Sequence, residues 1–76
     1  LKIFSFSVFP NPVSTLVSIE FDEPHSIYIF NLGGKQVYEK FSNGRHNIDL
    51  QSFSKGIYIL EIQSYYQKHR EKLVIQ

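Results

Sequence analysis

Alternation of apolar and polar positions dominates this chain. It is sharpest at Gly56-Ile57-Tyr58-Ile59-Leu60-Glu61-Ile62, where Tyr58, Leu60 and Ile62 fall on one face and Ile57, Ile59 and Glu61 on the other. The β-branched isoleucines suit a pleated, half-buried surface better than a helix, and Gly56 gives the backbone freedom to enter the strand from a turn. A strand that is apolar on one face and largely apolar on the other needs paired neighbours on both edges and a covering layer. This segment is therefore expected at the centre of a β-structure.

The rest of the chain repeats the two-residue period. Phe4, Phe6 and Val8 alternate with Ser5 and Ser7 in a first strand, ended by Phe9-Pro10-Asn11-Pro12, whose prolines remove two amide donors and confine the segment to an edge or a crossover. A second strand runs from Thr15 to Phe21, with Val17, Ile19 and Phe21 facing one way. Asp22-Glu23-Pro24 reads as a charged turn, followed by a central strand from His25 to Asn31 with apolar residues on both faces. Asn31-Leu32-Gly33-Gly34 is a hairpin signal, since glycine admits the positive φ that tight turns need. Lys35 to Phe41 reads as an outer return strand, Ser42-Asn43-Gly44 as a second turn, and Ile48-Asp49-Leu50 as a short strand. Phe53 is the one ring in the polar loop 51–55 and is expected to plug the end of the core, while the chain closes with a turn at 64–67 and a strand from His69 to Ile75.

About seven short strands at spacings of about ten residues, with no helical period, predict an all-β fold: an immunoglobulin-like antiparallel β-sandwich. Its expected core is Val17, Ile19, Ile27, Ile29, Val37, Leu50, Tyr58, Leu60 and Ile62. Tyr58 stands near the start of the sixth strand, where such sandwiches often tie a tyrosine hydroxyl to the backbone of the preceding corner, here residues 49–56.

Composition narrows the function. Seventy-six residues make one domain, and seven Phe and five Tyr are enough to fill one core. With no cysteine there is neither a disulfide framework nor a thiolate metal site. A formal net charge of +1 argues for neither nucleic acid nor an anionic membrane as partner, and no apolar run is long enough to span a bilayer. The absence of an initiator methionine suggests a piece of a longer protein.

No catalytic, metal or cofactor constellation emerges. His25, His46 and His69 are scattered singly and read as solvated surface residues, Asp22 and Glu23 as charges keeping a loop wet, and Gly33-Gly34 leads into a strand instead of a phosphate-binding helix. The run Lys68-His69-Arg70-Glu71-Lys72 reads as a charged edge strand guarding against sheet aggregation. Two features stand apart. Tyr65-Tyr66 places adjacent aromatics at a hairpin tip, where they could stack on a sugar ring or a partner protein or, equally, cover the core. Phe9-Pro10-Asn11-Pro12 offers a rigid, pre-ordered shape.

Val8-Phe9-Pro10-Asn11-Pro12, Ile29-Phe30-Asn31-Leu32-Gly33-Gly34-Lys35-Gln36-Val37, Ile48-Asp49-Leu50 with Phe53, Gly56-Ile57-Tyr58 and Lys72-Leu73-Val74-Ile75, in that order, resemble the type A C-terminal sorting domain of the type IX secretion system of Bacteroidetes. The resemblance covers nearly the whole chain. It implies that residues 1–76 are a single sorting domain, with 1–5 a linker remnant, covalently preceded by a cargo domain. It implies a non-enzymatic address that takes the cargo from the periplasm to the cell surface or the medium. Its partners would be the outer-membrane translocon and a sortase-like cysteine transpeptidase that removes the domain and joins many cargoes to an anionic lipopolysaccharide. No cofactor, nucleic acid or membrane insertion is implied. The motif positions carried over are Pro10, Asn11, Pro12, Gly34, Asp49, Gly56, Tyr58, Lys72, Leu73, Val74 and Ile75. The chain departs from the family pattern in doubling the turn glycine at Gly33-Gly34 and in ending at Gln76 instead of at or near a basic residue. The competing reading is a small carbohydrate-binding or adhesion module with Tyr65 and Tyr66 as its platform.

Overall fold

The computed structural model describes Ser7–Phe9 and residues 15–76. Pro10, Asn11, Pro12, most of the expected first strand and the linker remnant lie outside the described residues. The described residues form five strands and no helix: β1 (Ser7–Phe9), β2 (Leu16–Phe30), β3 (Gln36–Asp49), β4 (Gly56–Ser64) and β5 (Lys68–Ile75). All pairings are antiparallel, within one sheet of order β1-β2-β4-β5, with β3 on the other side of β2. The expected seven strands become five because two expected turns do not reverse the chain. Asp22 and Glu23 form a bulge inside β2, between the pairs Phe21 with Gly44 and Pro24 with Asn43, and Ser42-Asn43-Gly44 is the facing stretch of β3. In place of the two separate sheets of an immunoglobulin-like sandwich there is one continuous sheet.

That sheet is bent on itself. Fifteen extended residues would span about 47 Å, yet β2 fits in a molecule whose longest dimension is 39 Å. Within β3, Tyr38 and His46 would stand about 27 Å apart in a straight strand, but their ring centroids are 6.5 Å apart and their Oη and Nε2 atoms hydrogen-bond at 2.8 Å. The bend lies between them, at the facing irregularities of β2 and β3. The two unpaired residues of β2 face the positive-φ Gly44 of β3, whose own pairing continues unbroken, so the bend costs only local ladder bonds, and bulges sharpen bend and twist.

Folding the sheet over joins Val17, Ile19, Ile48 and Leu50 from one limb to Ile27, Ile29, Leu60, Ile62, Leu73 and Ile75 from the other in a single buried cluster. Period-two burial holds along β2 on both sides of the bulge, as the alternation requires. β4 lies between β2 and β5, confirming the central place of its sequence. Phe53 packs at the end of the cluster with its ring edge-on to Tyr58, which is half-buried. Two expectations of burial fail. Val37, expected in the core, is 40% exposed, because the register slips between Ile29 and Phe30 and bulges it out of the ladder. His25, expected at the surface, is buried, because the absence of a turn at 22–24 keeps it on the inward row with Ile27 and Ile29. Glu61, at the end of the outer row of β4, is buried as well.

Candidate functional site

The β4–β5 hairpin carries a cluster of charge around a buried carboxylate. Its register sets Glu61 opposite Arg70, and Gln63 opposite Lys68. Glu61 is held by Arg70 Nε, which donates to Oε1 at 2.7 Å, and by Gln63 Nε2, which donates to Oε2 at 2.5 Å, with Lys68 Nζ 3.9 Å away. Burial pushes the carboxyl pKa up, but the hydrogen bonds from Gln63 and Arg70 and the charges of Lys68 and Arg70 outweigh it, leaving the group below its ordinary value. Lys68, Arg70 and Lys72 stand exposed at alternate positions of β5, while Leu73 and Ile75 point into the core. One stretch of β5 thus serves both packing and surface charge. Val74 shares the outward row and is half-buried.

A second group gathers at the corner before β4. Asp49 Oδ1 accepts from the Gln51 amide at 3.0 Å, and the Tyr58 hydroxyl donates to the Ser54 carbonyl at 2.7 Å, the corner tie that the sequence suggested. Gly56 enters β4 with φ 148°. At the β2–β3 turn, Gly34 has φ 87° and its amide donates to the Asn31 carbonyl, while Asn31 Oδ1 accepts from the Lys35 amide. Gly33 needs no positive φ, so only the second of the doubled glycines is demanded by the turn. Gly34 and Asp49 act on local structure away from the terminal motif, whereas the β4–β5 register sets Gly56 opposite Ile75 and Tyr58 opposite Leu73, so these two motif positions lie beside the end of β5.

Tyr65 and Tyr66 are 90% and 73% exposed, with ring centroids 4.9 Å apart and planes at 68°. Rings set edge to face do not offer one flat platform to a sugar. A cleft of about 380 Å³ opens between Tyr65 and Phe41 over Pro24, Ser26 and Gln63. The three histidines remain apart in role. His25 Nδ1 donates to the Glu23 carbonyl at 2.6 Å, His46 joins Tyr38, and His69 lies 3.0 Å from Glu71. Burial, then the charges of Lys40 and His25, lowers the pKa of His46, and burial raises that of Tyr38. Among the described residues no group of histidine and carboxylate side chains could hold a metal ion, and no helix is long and apolar enough to cross a membrane.

Sequence reading missed the Glu61 clamp, the Tyr38–His46 tie and the exposed Phe41. The first was within reach, since a tight β4–β5 hairpin sets Glu61 against Arg70. The other two depend on the bend. The model of one protein family, described as the secretion system C-terminal sorting domain, matches residues 7–76. No curated protein matches the chain.

Proposed function

The chain belongs to the family of secretion-system C-terminal sorting domains, and from that premise we propose that β5 presents the address which the export machinery reads. As a type IX sorting signal the domain directs an attached cargo to the cell surface or the medium. On this reading the cargo waits in the periplasm, the outer-membrane translocon engages the domain, and a sortase-like transpeptidase removes it. The supporting observation is the division of labour in β5. Leu73 and Ile75 anchor the strand in the core, so that Lys68, Arg70 and Lys72 stand at fixed spacing on the surface. An ordered row of charges is recognised at lower entropic cost than a flexible tail.

The test is a fusion of residues 1–76 behind a periplasmic reporter in a bacterium possessing the type IX machinery. The reporter is expected at the surface or in the medium. Deleting residues 72–76 should strand it in the periplasm. Because that deletion also removes Leu73 and Ile75 from the core, Lys72→Ala is tested beside it, with folding checked by protease resistance. Equal export with and without the five residues would remove β5 from the address.

A further inference from the structure

β3 pairs with β2 along one side, and no strand among the described residues pairs with its other side. Over residues 38–42 the ladder to β2 is unbroken, so this edge is a regular row of backbone donors and acceptors. Natural edges of this kind are usually blunted by charge, bulging or cover. Here the bulge lies beyond one end, at Val37, and Phe41 stands on the edge 69% exposed. Phe41 is also a wall of the 380 Å³ cleft whose far side is Tyr65. An open edge beside an aromatic cleft is the arrangement by which an added strand gains affinity from its main chain and specificity from a side-chain pocket.

We propose that residues 38–42 of β3 accept, by antiparallel strand addition, an extended segment of a partner protein. Its successive side chains are apolar, acidic and basic, set opposite Phe41, Lys40 and Glu39. The charges on the edge choose this occupant. A base opposite Glu39 and an acid opposite Lys40 are favourable cross-strand pairs, and the apolar side chain covers Phe41 at the mouth of the cleft. A second copy of this chain fits poorly. A twofold axis normal to the sheet pairs residues of the same face, so ladders centred on Glu39 or Lys40 bring like charges directly together. One centred on Phe41 sets Lys40 opposite Ser42 and Glu39 opposite Asn43, leaving both charges without a counter-charge. The surface is separate from β5 and does not depend on how the address is read.

The test uses the purified 76-residue chain and a synthetic peptide with valine, glutamate and lysine in succession, followed by amide NMR. Expected are shifts at residues 36–44, with β5 amides unmoved. The double substitution Glu39→Lys with Lys40→Glu should weaken binding about tenfold. A peptide with its two charges exchanged should restore it, a rescue that a misfolded variant could not give. Phe41→Ser should weaken both complexes while the melting temperature is kept. Absence of β3 shifts, shifts confined to β5, equal binding of both peptides to both charge variants, or concentration-dependent dimerisation that perturbs β3 without peptide would each overturn the proposal.

Discussion

Asn31 to Gly34 and Ser42 to Gly44 both end in a glycine of positive φ, 87° at Gly34 and 94° at Gly44, yet the first reverses the chain and the second only bends it. The difference lies in what each glycine faces. At the first, the Gly34 amide returns to the Asn31 carbonyl and Asn31 Oδ1 holds the Lys35 amide, so the turn is closed by its own groups. At the second, Asn43 and Gly44 pair with Pro24 and Phe21 of the neighbouring strand, across from its own bulge. A glycine marks where the backbone can depart from regularity. Whether it turns or bends there depends on the partner strand.

If both irregularities serve one core, the largest effect should come from a cavity in that core. Leu60→Ala, from a side chain with no exposed surface in the cluster joining both limbs, is expected to cost about 2 to 5 kcal/mol. Urea denaturation should show one cooperative transition shifted as a whole, and separate melting of the two limbs would break the picture of a shared core. Next come the glycines. Gly34→Ala and Gly44→Ala each force a side chain into left-handed backbone and should each cost about 1 to 2 kcal/mol, whereas Gly33→Ala, without positive φ, should stay within about 0.5 kcal/mol. Equal losses at Gly33 and Gly34 would contradict the assignment of the turn.

Two tyrosines sharpen the comparison further. Tyr38→Phe removes the hydroxyl that ties the limbs of β3, and Tyr58→Phe removes the corner bond to Ser54. Each should cost about 0.5 to 1.5 kcal/mol, with Tyr58 at the lower end because its bond is exposed. If Tyr58→Phe keeps its melting temperature and still abolishes secretion, Tyr58 contacts the machinery directly.

The smallest effect is with pH. His46 has a folded pKa below 6.5, so the unfolded chain takes up the proton first and stability falls as pH drops from 6.5 through the folded value. Glu61, lowered from 4.5, contributes stability above 4.5 that is lost as pH falls through its folded value. Thermal melts from pH 7 to pH 3 should decline in two windows, and His46→Gln should remove the upper one.

Local periodicity was enough to place β4, β5, the two halves of β2 and the 36–41 part of β3, the inward rows of β2, β4 and β5, the turn at Asn31 to Gly34 and the corner tie of Tyr58, but not residues 42–47 of β3. Each is decided within a few residues, by which side chains share a face and where glycine or asparagine permits reversal. The ordered motifs likewise identified the family, since they are properties of the string itself. What only the tertiary structure decided was the joining of those segments. Asp22-Glu23-Pro24 and Asn43-Gly44 each carry the composition of a turn, and only their meeting across the ladder makes a bulge in β2 opposite a positive-φ glycine of β3, and with them one bend. From that bend follow the burial of His25 and the contact of Tyr38 with His46. The burial of Glu61 and the exposure of Val37 depend on the β4–β5 register and on the register slip between β2 and β3. The physical reason is that burial and pairing are relations between residues distant in sequence, whereas hydrophobic alternation is a relation between neighbours.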